Sequence, residues 1–213
     1  MINNILYTGK INSYGVLRQR SDNSITELVT LSEAKDHLRI TNTDDDTYIT
    51  TLISVARSIC ESYIGFLLAK NSNISYYLDD FPTKDVIYIH GVYNCGTVIV
   101  KYRQESDDAV TTFSASNYSV DNIHRPGRII LKDGSDWPSV SSNHTEGKAV
   151  EINMTNAGPA SAYQLPKAIH QAILMTIGHL YENRQDVVVG SGKPYDMPKA
   201  SEHLLNPHRI VLS

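Results

Sequence analysis

A chain of 213 residues, 41% hydrophobic and 20% charged, is long enough to bury a core with an elaboration and too apolar to be disordered throughout. Its formal net charge of −4 leaves no basic footprint for gripping duplex DNA. Two cysteines, Cys60 and Cys95, cannot make a CxxC site, and two ligands rarely hold a structural zinc.

The opening MINNILYTGKINSYG lacks the basic-then-apolar order of a signal peptide, and no apolar run approaches the ~20 residues that span a bilayer. A soluble chain made in the cytoplasm is the expectation. Residues 1–26 alternate weakly and carry turn residues, which suits an N-terminal arm or edge strand.

TLSEAKDHLRI follows. Thr30 with Glu33 three residues on is a capping box, and Leu31, Ala34 and Leu38 share a face, so a short helix is expected over about 30–39. Asp44, Asp45 and Asp46 then cluster where a helix dipole favours negative charge. They lack the alternating oxygens, central glycine and closing glutamate of a calcium loop. Ile49, Leu52, Ile53, Ala56, Cys60, Tyr63 and Ile64 fall at helical spacing up to Gly65, predicting a second helix over about 44–64 with Cys60 as a buried free thiol.

From about 70 to 157 the period changes to two. ISYYLDD, VIYIHG, TVIVKYR, GRIILK and AVEINMT are divided by Pro, Gly, Asn and Asp turns, as antiparallel strands with one solvated face would be. The abundant tyrosines here lack interleaved Lys and Arg, so packing explains them better than base stacking. Trp137 beside Pro138 reads as a local core residue. LPKAIHQAILMTIGHLYENR restores a helix over about 166–184, with Ile169, Ala172, Ile173, Thr176, Ile177 and Leu180 as its buried face. Glycines and prolines end it, and a last short helix is expected over about 198–206.

The fold class is therefore α+β: a small core of three main helices, an inserted antiparallel β-rich block and an extended C-terminal arm. The expected division is 1–26, a main domain 27–185 and a docking arm 186–213.

Catalytic signatures are thin. His179 and Glu182 share a helix face, but no HExxH or ExxH repeat completes a metal set, and with Arg184 they read as a polar cluster at a helix end. GSGKP at 190–194 has Pro194 where a phosphate loop needs a hydroxyl, and neither a GxSxG elbow nor a dinucleotide fingerprint occurs. No catalytic, cofactor or metal residue is assigned, and no enzyme is expected.

Taken in order, VTLSEAKDHLRI with its DDD and long helix to ESYIG, then LDDFP, NYSVD, PGRIILKDGSDWP, LPKAIHQAILMTIGHLYENRQDVVVGSG and MPKASEHLLNPHRI resemble the head-tail connector (adaptor) proteins of long-tailed bacteriophages, in the longer branch with a β insertion. The resemblance spans about 27–210; residues 1–25 have no clear counterpart. It implies a structural virion protein of the neck, forming a ring of twelve copies beneath the portal. Such a ring joins the capsid to a stopper or tail-completion protein and gives DNA a passage without sequence-specific binding.

On that reading IGHLYENRQDVVVGSG is the root of a partner-seeking arm. Gly190 and Gly192 supply a hinge, and Val187, Val188, Val189, Leu204, Leu205, His208, Arg209, Ile210, Val211 and Leu212 are the candidate portal-docking residues. Truncation at 198 is then expected to abolish docking and leave the fold intact. The rival readings are another protein- or glycan-binding module, sited on the tyrosine-rich block, and a metal-dependent hydrolase around His179 and Glu182.

Overall fold

A computed structural model describes residues 8–11, 14–21, 26–70, 72–104, 109–140, 149–159, 165–184 and 198–210, with only the backbone of 8–21. The chain forms two compact units, each discontinuous in sequence. The helical unit comprises 26–69 and 159–213, and the β unit comprises 1–25 and 70–158. The α+β class expected from the two periodicities is the one found.

In the helical unit α1 (Leu31–Leu38) starts at the capping box: the Glu33 amide donates to Thr30 Oγ1 at 3.2 Å, and the Thr30 amide donates to Glu33 Oε2 at 2.8 Å. Helix α2 (Asp46–Ile64) buries Ile49, Leu52, Ile53, Ala56, Cys60 and Ile64 and stops at Gly65, whose φ of 84° is the left-handed cap an L side chain resists. Helix α3 (Lys167–Glu182) buries Ile169, Ala172, Ile173, Leu174, Thr176 and Ile177. A short α4 (Lys199–Leu205) and a 3-10 turn (Asn206–His208) complete the unit.

The apolar stripe of α2 concealed an ionic element. Arg57 is buried and donates through Nη1 to Glu61 at 2.8 Å and through Nε to Glu27 at 2.7 Å. Glu61 is also buried, and its other oxygen accepts the amides of Leu68 at 2.8 Å and Ala69 at 3.1 Å. A buried carboxylate needs that many donors to offset its lost hydration. The same contacts pin the chain as it leaves α2.

The β unit holds a six-stranded antiparallel sheet in the order β1-β2-β3-β9-β5-β6: β1 (Thr8–Ile11), β2 (Tyr14–Ser21), β3 (Ser72–Leu78), β9 (Val150–Ala157), β5 (Thr97–Tyr102) and β6 (Thr111–Thr112). A second sheet orders β4 (Val86–Ile89), β8 (Gly127–Leu131) and β7 (Tyr118–Asp121) as β4-β8-β7. Alternation is strict where one face is dry: Ile74, Tyr76 and Leu78 of β3 lie with Val150, Ile152 and Met154 of β9, and Ile87, Ile89, Ile129 and Leu131 line the smaller sheet. The Tyr118 hydroxyl donates to the Val98 carbonyl at 2.9 Å, tying β7 to β5. Phe81 stacks on Trp137 at 5.0 Å, Phe113 packs beside both, and Trp137 Nε1 donates to the Lys84 carbonyl at 3.0 Å.

Two expectations change in detail. Residues 8–11 and 14–21 enter the six-stranded sheet, with β2 paired to β3 from Leu17↔Tyr77 to Ser21↔Asn73, so of these two strands β1 alone lies at an edge. The β block is thus not solely an insertion between the second and third helices. Unpaired, β3 would present a row of open amides and carbonyls, and β2 satisfies them. Gly96 allows a close crossing: a Cβ there would run into the carbonyl oxygens of Thr155 and Asn156.

Candidate assembly interface

The C-terminal residues singled out as docking groups divide into three sets. Val187, Val188, Val189, Gly190, Gly192, Val211 and Leu212 lie outside the described residues. Leu204, His208 and Ile210 are half-buried, and Arg209 is exposed. Leu205, by contrast, is 0% exposed and packed within its own helical unit, where the sequence reading had expected an apolar group left open to a partner.

The reason is a seat formed by α2 and α3. Ser201 of α4 is fully buried and donates to the Ala172 carbonyl at 3.3 Å, beside Thr176 Oγ1 at 3.5 Å. Thr176 donates to the same Ala172 carbonyl at 2.8 Å and lies 3.9 Å from the Cys60 thiol. Small side chains let the three helices approach closely, and each hydroxyl finds a carbonyl. Beyond α4, the Tyr63 hydroxyl donates to Asn206 at 2.8 Å, the Arg209 guanidinium lies 5.3 Å over the Tyr63 ring, and the Ile210 amide donates to the Ile64 carbonyl at 2.8 Å. Burying Leu205 contributes about 1.5–3 kcal/mol to this seating. Burial pushes the Cys60 thiol up to about 12, so it stays protonated and serves as packing.

The other end of α3 is fixed by charge. Arg184 donates to Asp45 at 2.9 Å and lies 4.7 Å over the rings of both Tyr48 and Tyr181. The Tyr181 hydroxyl donates to the same Asp45 carboxylate. The Tyr181 and Arg184 donors hold that carboxyl below its usual range. Asp45 therefore makes no side-chain cap to α2, and Asp46 pairs with Lys35 at 2.6 Å. The acidic triplet sits at a helix start as expected, but two of its members serve as tertiary tethers. Within the predicted polar cluster, the Asn183 side chain donates to the His179 carbonyl at 2.8 Å, Glu182 is exposed, and Arg184 turns away to Asp45. Among the described residues no three His, Cys, Asp or Glu side chains converge as metal ligands.

Among the described residues of the β unit, the most exposed large apolar side chain is Ile123, at 88%. Its loop is stiff: Asp121 Oδ1 accepts the amides of Ile123 at 2.9 Å and His124 at 3.3 Å, while Arg128 and His124 clamp the other oxygen. The Arg128 bond leads the forces that hold the Asp121 carboxyl far below the usual carboxylate range. A recess of about 170 Å³ lies between Tyr77, Lys101, Tyr102, Arg103, Val110 and Glu151. Tyr76 and Tyr118 are buried, so these tyrosines of the block are spent on packing and do not form a sugar platform.

Sequence reasoning missed Ser201, Thr176, Tyr63 and Asn206 as the groups that seat α4. The one available signal was polarity out of place: Thr176 interrupts an otherwise apolar stripe of α3.

Comparison with known proteins bears on what these surfaces serve. Residues 28–90 match the family model described as phage gp6-like head-tail connector protein. No curated protein matches the chain. Among solved structures, a chain in the neck of an empty gene transfer agent particle, computed with sixfold symmetry, is 20% identical with a TM-score of 0.69, over 89% of this chain and 97% of that one. A chain of the native gene transfer agent virion is 21% identical with a TM-score of 0.67, over 89% and 96%. A chain in the native particle's neck, computed with twelvefold symmetry, is 21% identical with a TM-score of 0.60, over 89% and 97%. Residues 28–90 thus carry a match to the phage gp6-like head-tail connector family, within a fold that the chain shares with chains of the gene-transfer-agent particle.

Proposed function

We propose that the chain is a structural component of a virion neck, assembling as a closed ring of twelve copies beneath a portal and joining the capsid to a stopper or tail-completion protein. The observation that carries this reading is the connector signature over 28–90, set on a fold shared with neck chains whose structures were computed with sixfold and twelvefold symmetry. The chain performs no reaction in this scheme. DNA passes through the ring, and the net charge of −4 suits passage, because a weakly acidic wall does not trap phosphate as a basic one would.

Portal docking falls to the C-terminal segment, in a form revised by the seating of Leu205. With α4 fixed on the helical unit, and Arg209 and Ile210 held at Tyr63 and Ile64, the docking role is assigned to Val187, Val188, Val189, Val211 and Leu212. Removing 198–213 wholesale would also uncover Ala172, Thr176 and their neighbours, so the expectation of an intact fold after that truncation is withdrawn. The sharper variant removes only 211–213 and leaves the seat of α4 whole. It should keep the unfolding midpoint of the intact chain and lose co-purification with the portal.

The ring is tested by mass measurement and negative-stain imaging of the full chain, alone and with its portal protein. A closed ring is expected in the presence of the portal. A chain that stays monomeric there would overturn the reading.

A further inference from the structure

The seat on α2 and α3 is identical in every copy, so within the ring proposed above it is open to the α4 of a neighbour as well as to its own. We infer that it is an exchange site, and that in the ring each copy's α4 occupies the seat of the adjacent copy.

Chain length is the first argument. Helix α3 ends at a corner pinned by Arg184 to Asp45 and Tyr48, at the start of α2. The seat lies back along α3, where Ser201 meets Ala172. Ten residues separate Ala172 from Glu182, which is ~15 Å at helical rise. The connecting residues 185–197 number thirteen and reach about 45 Å when extended. Antiparallel neighbours in a bundle are commonly joined by ~2–8 residues. The connection is thus longer than a return to its own seat requires, which leaves slack for reaching the seat of an adjacent copy.

The chemistry of the seat is the second argument. Its recognition is compact: one buried hydroxyl at Ser201, one buried Leu205, the Tyr63–Asn206 bond and the Ile210–Ile64 backbone bond. All lie on α4 or within five residues of its end. A neighbour's α4 therefore makes the same contacts. The free chain fills its seat internally because the tether keeps α4 at high effective concentration, and a ring supplies the adjacent copy at a comparable concentration. Such an exchange adds no new surface and closes head-to-tail around a ring, as a heterologous contact must.

The structure supplies its own trap. A Cβ built on Gly65 lies 3.7 Å from the Ile210 Cβ, within the spacing of a disulfide. The native Cys60 and Cys95 are both buried, which keeps them silent. The Gly65→Cys, Ile210→Cys double variant of the full chain is assembled with its portal protein, its mass is measured, and the ring is oxidised and run without reductant. A covalent ladder of dimers and larger species is expected. Gly65→Cys chains mixed with Ile210→Cys chains should cross-link to one another, though neither variant carries both thiols.

An intact ring that yields only internally bonded monomers would overturn the inference, and so would an intact ring whose introduced thiols stay free. Because Gly65 has a positive φ and a cysteine there is strained, the pair Tyr63→Cys and Asn206→Cys, joined by a short bis-thiol reagent, repeats the test without that strain. Mass measurement before oxidation separates the two readings: absence of a ring removes the neck assembly itself, and this inference with it.

Discussion

The two units solve the same problem in opposite ways. The β unit is redundant: β3, β5 and β9 share alternating apolar rows, and Phe81, Phe113 and Trp137 pack on one another, with Tyr118 stacked on Phe113. The helical unit is sparse. Its described helices rest on an ionic group at Arg57, Glu61 and Glu27, a tether at Asp45, and a seam of small hydroxyls around Thr176. Redundant packing absorbs substitution and fixes little about chain path, whereas sparse polar contacts each fix one joint. The family signature over 28–90 covers α1, α2 and the exit from α2, and runs on through β3 and β4 of the β unit.

Substitutions can break that contrast. The largest effect is expected at Glu61→Ala, which strands buried Arg57 and frees the amides of Leu68 and Ala69. A loss of about 3–5 kcal/mol in urea unfolding is predicted, with hydrogen exchange rising first in α2 and α3. Glu61→Gln, which keeps an acceptor for those amides, should recover part of it. An equal loss in both variants would mean that volume, and not charge, holds this joint. Phe81→Ala is expected to cost about 3 kcal/mol, with Trp137 fluorescence shifting as its stacking partner goes. Should it prove as severe as Glu61→Ala, the β unit is less redundant than its contacts imply. Thr30→Ala removes one half of a capping box and should cost about 1 kcal/mol, read as a small drop in the midpoint of α1 exchange protection.

The smallest effect at neutral pH is expected at Asp121→Asn. The folded-state pKa of Asp121 lies below its unfolded value of ~3.9, so the carboxylate contributes stability above that value. The contribution is lost as pH falls from ~4 toward the folded pKa. The variant should therefore flatten the acid limb of the stability curve, and an unchanged limb would place the acid sensitivity elsewhere.

Local chemistry was legible in the sequence, and long-range pairing was not. The Thr30–Glu33 box, the α2 stripe to Gly65 and the alternation of β3, β8 and β9 are each written within a dozen or so residues, and each formed. The entry of 8–21 into the sheet was not legible as such, because its weak alternation matters only once β3 offers an open edge. Arg57 and Glu61, one helical turn apart, look like an ordinary surface pair until Glu27 and the turn after α2 close over them. Of the assembly surface, the sequence located the C-terminal segment and its apolar residues. It misjudged Leu205, because nothing in KASEHLL states that Ser201 fits against Ala172.

The helical unit is completed only by distant parts of the chain, and this has a consequence during synthesis. Helix α2 ends at Ile64 and its partner α3 begins at Lys167, a separation that a ribosome crosses in roughly 5–20 s at ~5–20 residues per second. Throughout that interval Ile49, Leu52, Ile53 and Ile64 have emerged while α3, which packs on α2, has yet to be made. The nascent protein is thus most prone to aggregate midway through its own translation, and holdase chaperones should engage it there and release it once α3 has cleared the exit tunnel.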